Sequence, residues 1–231
     1  MPALKVAVAP DVLVWARESI GLSQEEAASR LNMSSMDLRY LEEGAEDVTM
    51  PRIRQMADVY KRPQIVFFLP SPPDLQDFMP DFRTTPRQHS RPWSPELHSE
   101  YRRVVSQRNA VLEVSEFDED PPEPIRLTLI GTEDPETAGA AVRQWLRAPD
   151  VFEDANDHRE IFNEWVELVE RHPILVVQVS GIEIAEMRGF SLGDVPWPAI
   201  AINNRDVFTA RTFTLLHELV HVLLRHDGVC D

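Results

Sequence analysis

The sequence predicts an α+β protein. An all-α bundle stands at the N-terminus, and a mixed domain with a small sheet follows it, ending in a buried helix that carries His217-Glu218-Leu219-Val220-His221. Three observations carry this expectation. Residues 10–70 place apolar residues at helical spacing, broken by Gly and Ser at the turns. From residue 125 onward, short β-rich apolar runs alternate with amphipathic helical segments. Phe213, Leu215, Leu216, Leu219, Val220, Val222, Leu223 and Leu224 make the last helix apolar nearly all round, which predicts burial.

Composition sets the frame for these elements. The 231 residues are 43% hydrophobic and 27% charged, enough to bury a core without disulfides. The single Cys, Cys230, excludes an intramolecular disulfide and fits a reducing compartment. No apolar run approaches the roughly 18 residues needed to span a bilayer, and the N-terminus lacks the apolar stretch of a signal peptide. The expectation is a cytoplasmic protein without membrane contact. Net charge is −16, unevenly spread: residues 1–70 hold 8 Lys/Arg against 10 Asp/Glu, and the remaining 161 hold 15 against 29. Such a surface repels polyphosphate, so any DNA contact must come from a local patch in the first part.

Val12, Leu13, Ala16 and Ile20 fit a first helix over 11–20, stopped by Gly21. Ser23 with Glu26 three residues on is a capping box, opening a second helix with Ala27, Ala28 and Leu31 inward. A third runs over 34–43, with Leu38 and Leu41 inward and Gly44 as its stop. Pro51 opens a fourth, to residue 60, and the apolar segment 65–69 packs back on the bundle. Residues 71–94 are punctuated by proline and read as an extended linker. A helix over 95–114 and an acidic, Pro-rich loop over 118–124 follow. Strands are expected over 125–130, 174–179, 187–192 and 199–202, and helices over 135–147, 157–171 and 206–225. The domain boundaries drawn from this are 1–70, 71–94 and 95–231.

Residues 22–44 have the layout of two helices joined by a tight turn at Asn32-Met33, with the Ser34 end of the second aimed outward. Leu22-Ser23-Gln24, Ala27-Ala28, Leu31, Leu38, Leu41-Glu42 and Gly44 resemble the XRE (lambda-repressor-like) helix-turn-helix family. The resemblance implies that Gln24 contacts a phosphate and that Ser35, Met36 and Arg39 face base edges. Arg39, Arg52, Arg54, Lys61 and Arg62 are the cations available for phosphates. Asp37, Glu42, Glu43, Glu46 and Asp47 crowd the same region, so a bundle used for dimerisation or for docking a protein stays open beside DNA binding.

His217 and His221 are four residues apart, which sets both imidazoles on one helix face. Two imidazole nitrogens at that spacing can share a Zn²⁺. Glu218 beside them can take a proton from metal-bound water and deliver it to a leaving amine. A His pair hydrogen-bonded in the core is the alternative. Arg188-Gly189-Phe190, Pro198 to Asn203 and Arg211 to His221 resemble the ImmA/IrrE metallopeptidase family, many of whose members carry an XRE domain in front. The resemblance implies a zincin-like α/β fold, with Glu218 catalytic and His217 and His221 as zinc ligands. It also implies that Ala199, Ile200, Ala201, Ile202 and Asn203 form the sheet edge receiving a substrate peptide. The implied substrate is a regulatory protein such as a DNA-binding repressor, with control of mobile elements or stress genes.

The family's third zinc ligand is an acidic side chain on a downstream helix. The sequence ends ten residues after His221, so the metallopeptidase domain is expected to be incomplete and its activity doubtful. Asp227, His226 and Cys230 are the substitutes nearby; Cys230 reaches only if the chain doubles back at Gly228. A non-enzymatic DNA-binding regulator or antitoxin, and a metal-dependent sensor, remain as alternatives to the enzyme, and homodimerisation is left open. His89, His98, His158 and His172 sit in polar stretches and read as surface residues, and Trp93, Trp145, Trp165 and Trp197 as packing.

Overall fold

A computed structural model describes residues 5–73, 93–117, 124–129, 131, 134–150, 157–193, 196–225 and 228–230. Most of the linker expected at 71–94, and nearly all of the acidic loop at 118–124, lie outside the described residues. The chain divides into two compact units, Met1–Tyr101 and Arg102–Asp231.

The first unit is helical. Its elements are β1 (Lys5–Val6), α1 (Pro10–Glu18), α2 (Gln24–Arg30), α3 (Ser35–Glu42), β2 (Val48–Thr49), α4 (Met50–Val59) and a 3₁₀ segment, Gln64–Phe68. The local code is visible at each boundary. Ser23 accepts from the Glu26 amide while the Glu26 carboxylate accepts from the Ser23 amide, completing the capping box. Ser34 caps α3 through the Asp37 amide. Gly44 ends it at φ +73°, where a Cβ would lie 2.9 Å from Pro10 Cγ. Leu13, Ala16, Ile20, Ala27, Leu31, Leu38, Ile53, Met56 and Phe67 form the core. The segment expected to pack back does so only through Phe67, for Ile65 and Phe68 are exposed. The short antiparallel pair β1–β2 was not anticipated. Inside the unit, Arg17 and Glu42 form a buried pair, Nε to Oε1 at 2.7 Å and Nη2 to Oε2 at 3.2 Å. Burial opposes the Arg17 charge, but the Glu42 hydrogen bond and charge outweigh it, so the Arg17 pKa is raised.

Helix α5 (Pro95–Ser115) begins in the first unit and ends in the second. The second unit then adds α6 (Pro135–Leu146), α7 (His158–Glu170), β3 (Leu175–Val179), β4 (Gly189–Leu192), β5 (Ala199–Asn203), α8 (Phe208–Leu224) and β6 (Gly228–Cys230). The sheet order is β3-β5-β4-β6, with β3 parallel to β5 and the other two pairings antiparallel. Ile200 and Ile202 of β5 meet Leu215, Leu219, Val222 and Leu223 of α8, together with Phe162 and Val169 of α7. Taken together, the chain is α+β: a helical first part and a helix-and-small-sheet second part.

Three expectations for this unit are corrected. The strand expected over 125–130 is absent from the described part of that segment; Ile125, Leu127 and Leu129 pack on the α8 core instead, and the Leu129 amide donates to the Leu223 carbonyl at 3.0 Å. Ala199, Ile200, Ala201, Ile202 and Asn203 do not form a sheet edge. β5 is bonded on both sides and all five residues are buried, which is what an apolar run without alternation encodes. The last helix is not buried all round: Phe213 is 72% and Val220 38% exposed.

Candidate functional site

The first unit presents α3. Leu38 is buried and Leu41 nearly so, which turns the opposite face of the helix outward. Arg39 is exposed there, Met36 is 56% and Tyr40 44% exposed, and Ser35 is half-buried in the first turn. Tyr40 was missed by the sequence reading, although it follows Met36 by four residues and so shares its face. Gln24 opens α2, and its carboxamide donates to Glu42 Oε2 at 2.9 Å. One of its amide protons is thus engaged by the buried Arg17–Glu42 pair rather than by a phosphate. The cations divide in the same way. Arg52 donates to the Leu31 carbonyl at 2.7 Å, and Arg62 lies 4.3 Å from the Trp15 ring centre. Arg39, Arg54 and Lys61 are exposed, and Lys61 has Glu96 at 3.7 Å. Asp37, Glu43, Glu46 and Asp47 are also exposed, so the face is mixed in sign.

The second unit builds its site on α8. The start of that helix is fixed by its approach from β5. Asn203, fully buried, donates to the Ile182 and Met187 carbonyls at 3.0 and 2.8 Å and accepts from the Arg205 amide at 3.0 Å. Arg211 donates to the Asp206 carbonyl at 2.7 Å and to Gln178 Oε1 at 3.2 Å, with its guanidinium 4.4 Å from the Phe208 ring centre. Asn203 is therefore a structural residue of the β5–α8 turn.

Along α8 the faces separate. Glu218 is fully buried and lies over β4: a Cβ on Gly189 would meet Thr214 Cγ2 at 2.5 Å and Glu218 Cγ at 3.3 Å. Leu215 and Leu219 sit to one side of Glu218, in the core against β5. At about 100° per residue, His217 and His221 fall on its other side, beyond β4 and away from β5. His217 is exposed and His221 half-buried. Their Nε2 atoms are 3.2 Å apart, the rings are 4.8 Å centre to centre at 74°, and Phe213 stacks on His217 at 6.0 Å.

A 3.2 Å separation fits a hydrogen bond between the imidazoles, and it fits a shared metal equally well. Two nitrogens about 2.05 Å from a tetrahedral Zn²⁺ lie about 3.3 Å apart. The pair therefore suits two corners of a metal site. Among the described side chains no group of three His, Cys, Asp or Glu is assembled. His226 and Asp227 lie outside the described residues, and Cys230 is described only by its backbone.

Residues 11–65 match a family model described as a helix-turn-helix domain. No curated protein and no solved structure matches the chain. No described helix is long and apolar enough to cross a membrane. The match spans α1 to the 3₁₀ segment and contains the capped α2–turn–α3 geometry, so the N-terminal part of this protein is a helix-turn-helix domain of the XRE-like kind.

Proposed function

We propose that the protein is a DNA-binding transcription regulator, with residues 1–70 reading an operator. The observation that carries this is the Ser34-capped α3, which exposes Met36 and Arg39 and keeps Ser35 half-buried in its first turn. A recognition helix enters the major groove by its N-terminal turns and needs short polar and cationic side chains there. Arg39 is the cation on that face, and a guanidinium matches the O6/N7 pair of guanine. The test is selection of duplexes from a random pool, followed by affinity measurements across salt for wild type and Arg39→Ala. Wild type should prefer the selected duplex, and its affinity should fall steeply with salt. Arg39→Ala should lose about 1–3 kcal/mol and relax the preference at one base position. Absent or sequence-blind binding at low salt overturns the proposal and leaves the bundle as a docking or dimerisation module.

One observation favours a second activity for residues 95–231: the convergence of His217 and His221 beside a carboxylate on one helix. Together with the ImmA/IrrE resemblance, it supports a zincin-like metallopeptidase domain that cleaves or inactivates a regulatory protein. His217 and His221 would hold zinc, which when bound acts as a Lewis acid and lowers the pKa of its water to about 7. Glu218 would accept the proton from the attacking water and pass it to the leaving nitrogen. Glu218→Gln should lower hydrolysis of a repressor-type substrate by at least about 10²-fold with metal content unchanged. Hydrolysis that survives the substitution rules this reading out.

A further inference from the structure

We infer that Met36 and Tyr40 together read thymine through its C5-methyl group in the major groove, which makes Tyr40 a specificity-determining residue beside Arg39. The inference rests on reading residues 1–70 as a DNA-binding domain, and it names the base group that the centre of α3 recognises. Leu38, Leu41 and Glu42 are the buried residues of α3. At about 100° per residue, the direction opposite these three falls between Met36 and Tyr40. Arg39 lies on one flank of that line and Asp37 on the other, both exposed. Met36 and Tyr40, 56% and 44% exposed, are one turn apart, so their side chains are neighbours on the surface.

The most outward point of α3 is therefore apolar and uncharged. Phosphates take cations and hydrogen-bond donors, so such a centre suits the base edges on the groove floor instead. Of the groups that base edges present in the major groove, the C5-methyl of thymine is the apolar one. The unbranched thioether of Met36 adapts to the shape of a methyl. The ring of Tyr40 gives it a flat apolar surface to pack on, and the hydroxyl keeps a hydrogen bond for a neighbouring polar group. One helical turn rises about 5.4 Å and one base step about 3.4 Å, so the pair covers about two adjacent base pairs.

The borders of the patch agree with this occupant. Asp37 on its flank and Glu43 at the far end of the helix are exposed, and both repel a phosphate that approaches α3 directly. Arg39 on the other flank suits guanine, so guanine and thymine should stand within a few base pairs of each other in the preferred site. A protein partner fits less well. The apolar part of the face is two side chains set between charges, whereas a stable protein interface takes about 20–30 residues a side.

The experiment removes the methyl alone. In the duplex selected by the full chain, each thymine of the site is replaced in turn by uracil, which pairs identically and lacks only the C5-methyl. Wild type should bind about fourfold more weakly at one or two of these positions, the ratio that burial of one such group is worth. Met36→Ala and Tyr40→Ala should each lose the thymine–uracil difference at the position that residue touches, with helix content by circular dichroism unchanged. Tyr40→Phe, which keeps the ring, should keep the difference. A selected site without thymine, equal binding of thymine and uracil duplexes by wild type, or a difference that persists in the double variant Met36→Ala/Tyr40→Ala overturns the inference and leaves sequence-selective binding standing. No selective binding by wild type overturns both, and the pair is then a contact for a protein.

Discussion

At the level of single residues, position decided more than type. Glu218 was legible as the acid of an HExxH segment, and its helix was expected to bury it. What no pattern announced is that it rests on Gly189 of a strand 29 positions earlier. Gly189 sits between Arg188 and Phe190 in a short mixed segment, so only the packing shows why it carries no side chain. Gly189→Ala would put a methyl 2.5 Å from Thr214 Cγ2 and 3.0 Å from the Ala201 carbonyl. The Ala201 carbonyl is bonded within the sheet and cannot retreat, so α8 must lift from β4. Overpacking of this kind costs about 1–3 kcal/mol. Urea titration should show that loss, and Thr214→Ser in the same chain, which removes the nearer clash, should restore part of it. Wild-type stability of Gly189→Ala would mean that α8 does not seat on β4 as described. Gln24 teaches the same lesson in the first unit. Its place at the start of α2 was readable, but its bond to Glu42 depends on a residue 18 positions away.

At the level of elements, helices with local punctuation were legible to within about two residues. Ser23, Ser34 and Asp157 stand at the expected helix starts and cap α2, α3 and α7, and Asp134 caps α6, through amide hydrogens two or three residues on. Capping is a contact between near neighbours, so sequence contains it. Strand partners are not local, and there the reading failed. Ala199 to Asn203 read correctly as a strand but wrongly as an edge, because its order in the sheet depends on β3 and β4 pairing on opposite sides of it. Ile125, Leu127 and Leu129 alternate like a strand, yet no described strand lies beside them and they serve the helical core instead. The apolar character of α8 was overread for the same reason: composition gives the number of apolar residues, not how many have a neighbour to cover them. The approach to β5 has its own long-range cause. Trp197 takes φ 62°, costly for a bulky side chain, and its carbonyl accepts from Arg108 of α5 at 2.8 Å.

At the level of the whole molecule, charge and protonation set how the chain responds to its medium. The net charge of −16 shrinks as acid is added, which relieves self-repulsion, but carboxylates titrate mainly below about pH 5. Between about pH 7 and 5.5 histidines dominate, and the environment of His172 acts on it with a clear sign. Read as a surface residue, it is half-buried and stacks on Trp145 with ring centres 3.8 Å apart. Burial, and then the Arg147 charge, lower its pKa from the usual 6.5, against a hydrogen bond at Trp145 that raises it. The folded state therefore binds its proton less readily than the unfolded state. The stabilisation is complete above about pH 6.5 and is lost as pH falls through the lowered folded value. His172→Phe keeps an aromatic ring against Trp145 and removes the titration. The thermal midpoint of wild type should drop between about pH 7 and 5.5, and the variant should show a shallower drop over the same range. Every other residue is common to the two proteins and cancels in the comparison. Parallel curves for the two proteins would mean that His172 reaches solvent as easily folded as unfolded, and that the Trp145 stack does not exclude water from its ring.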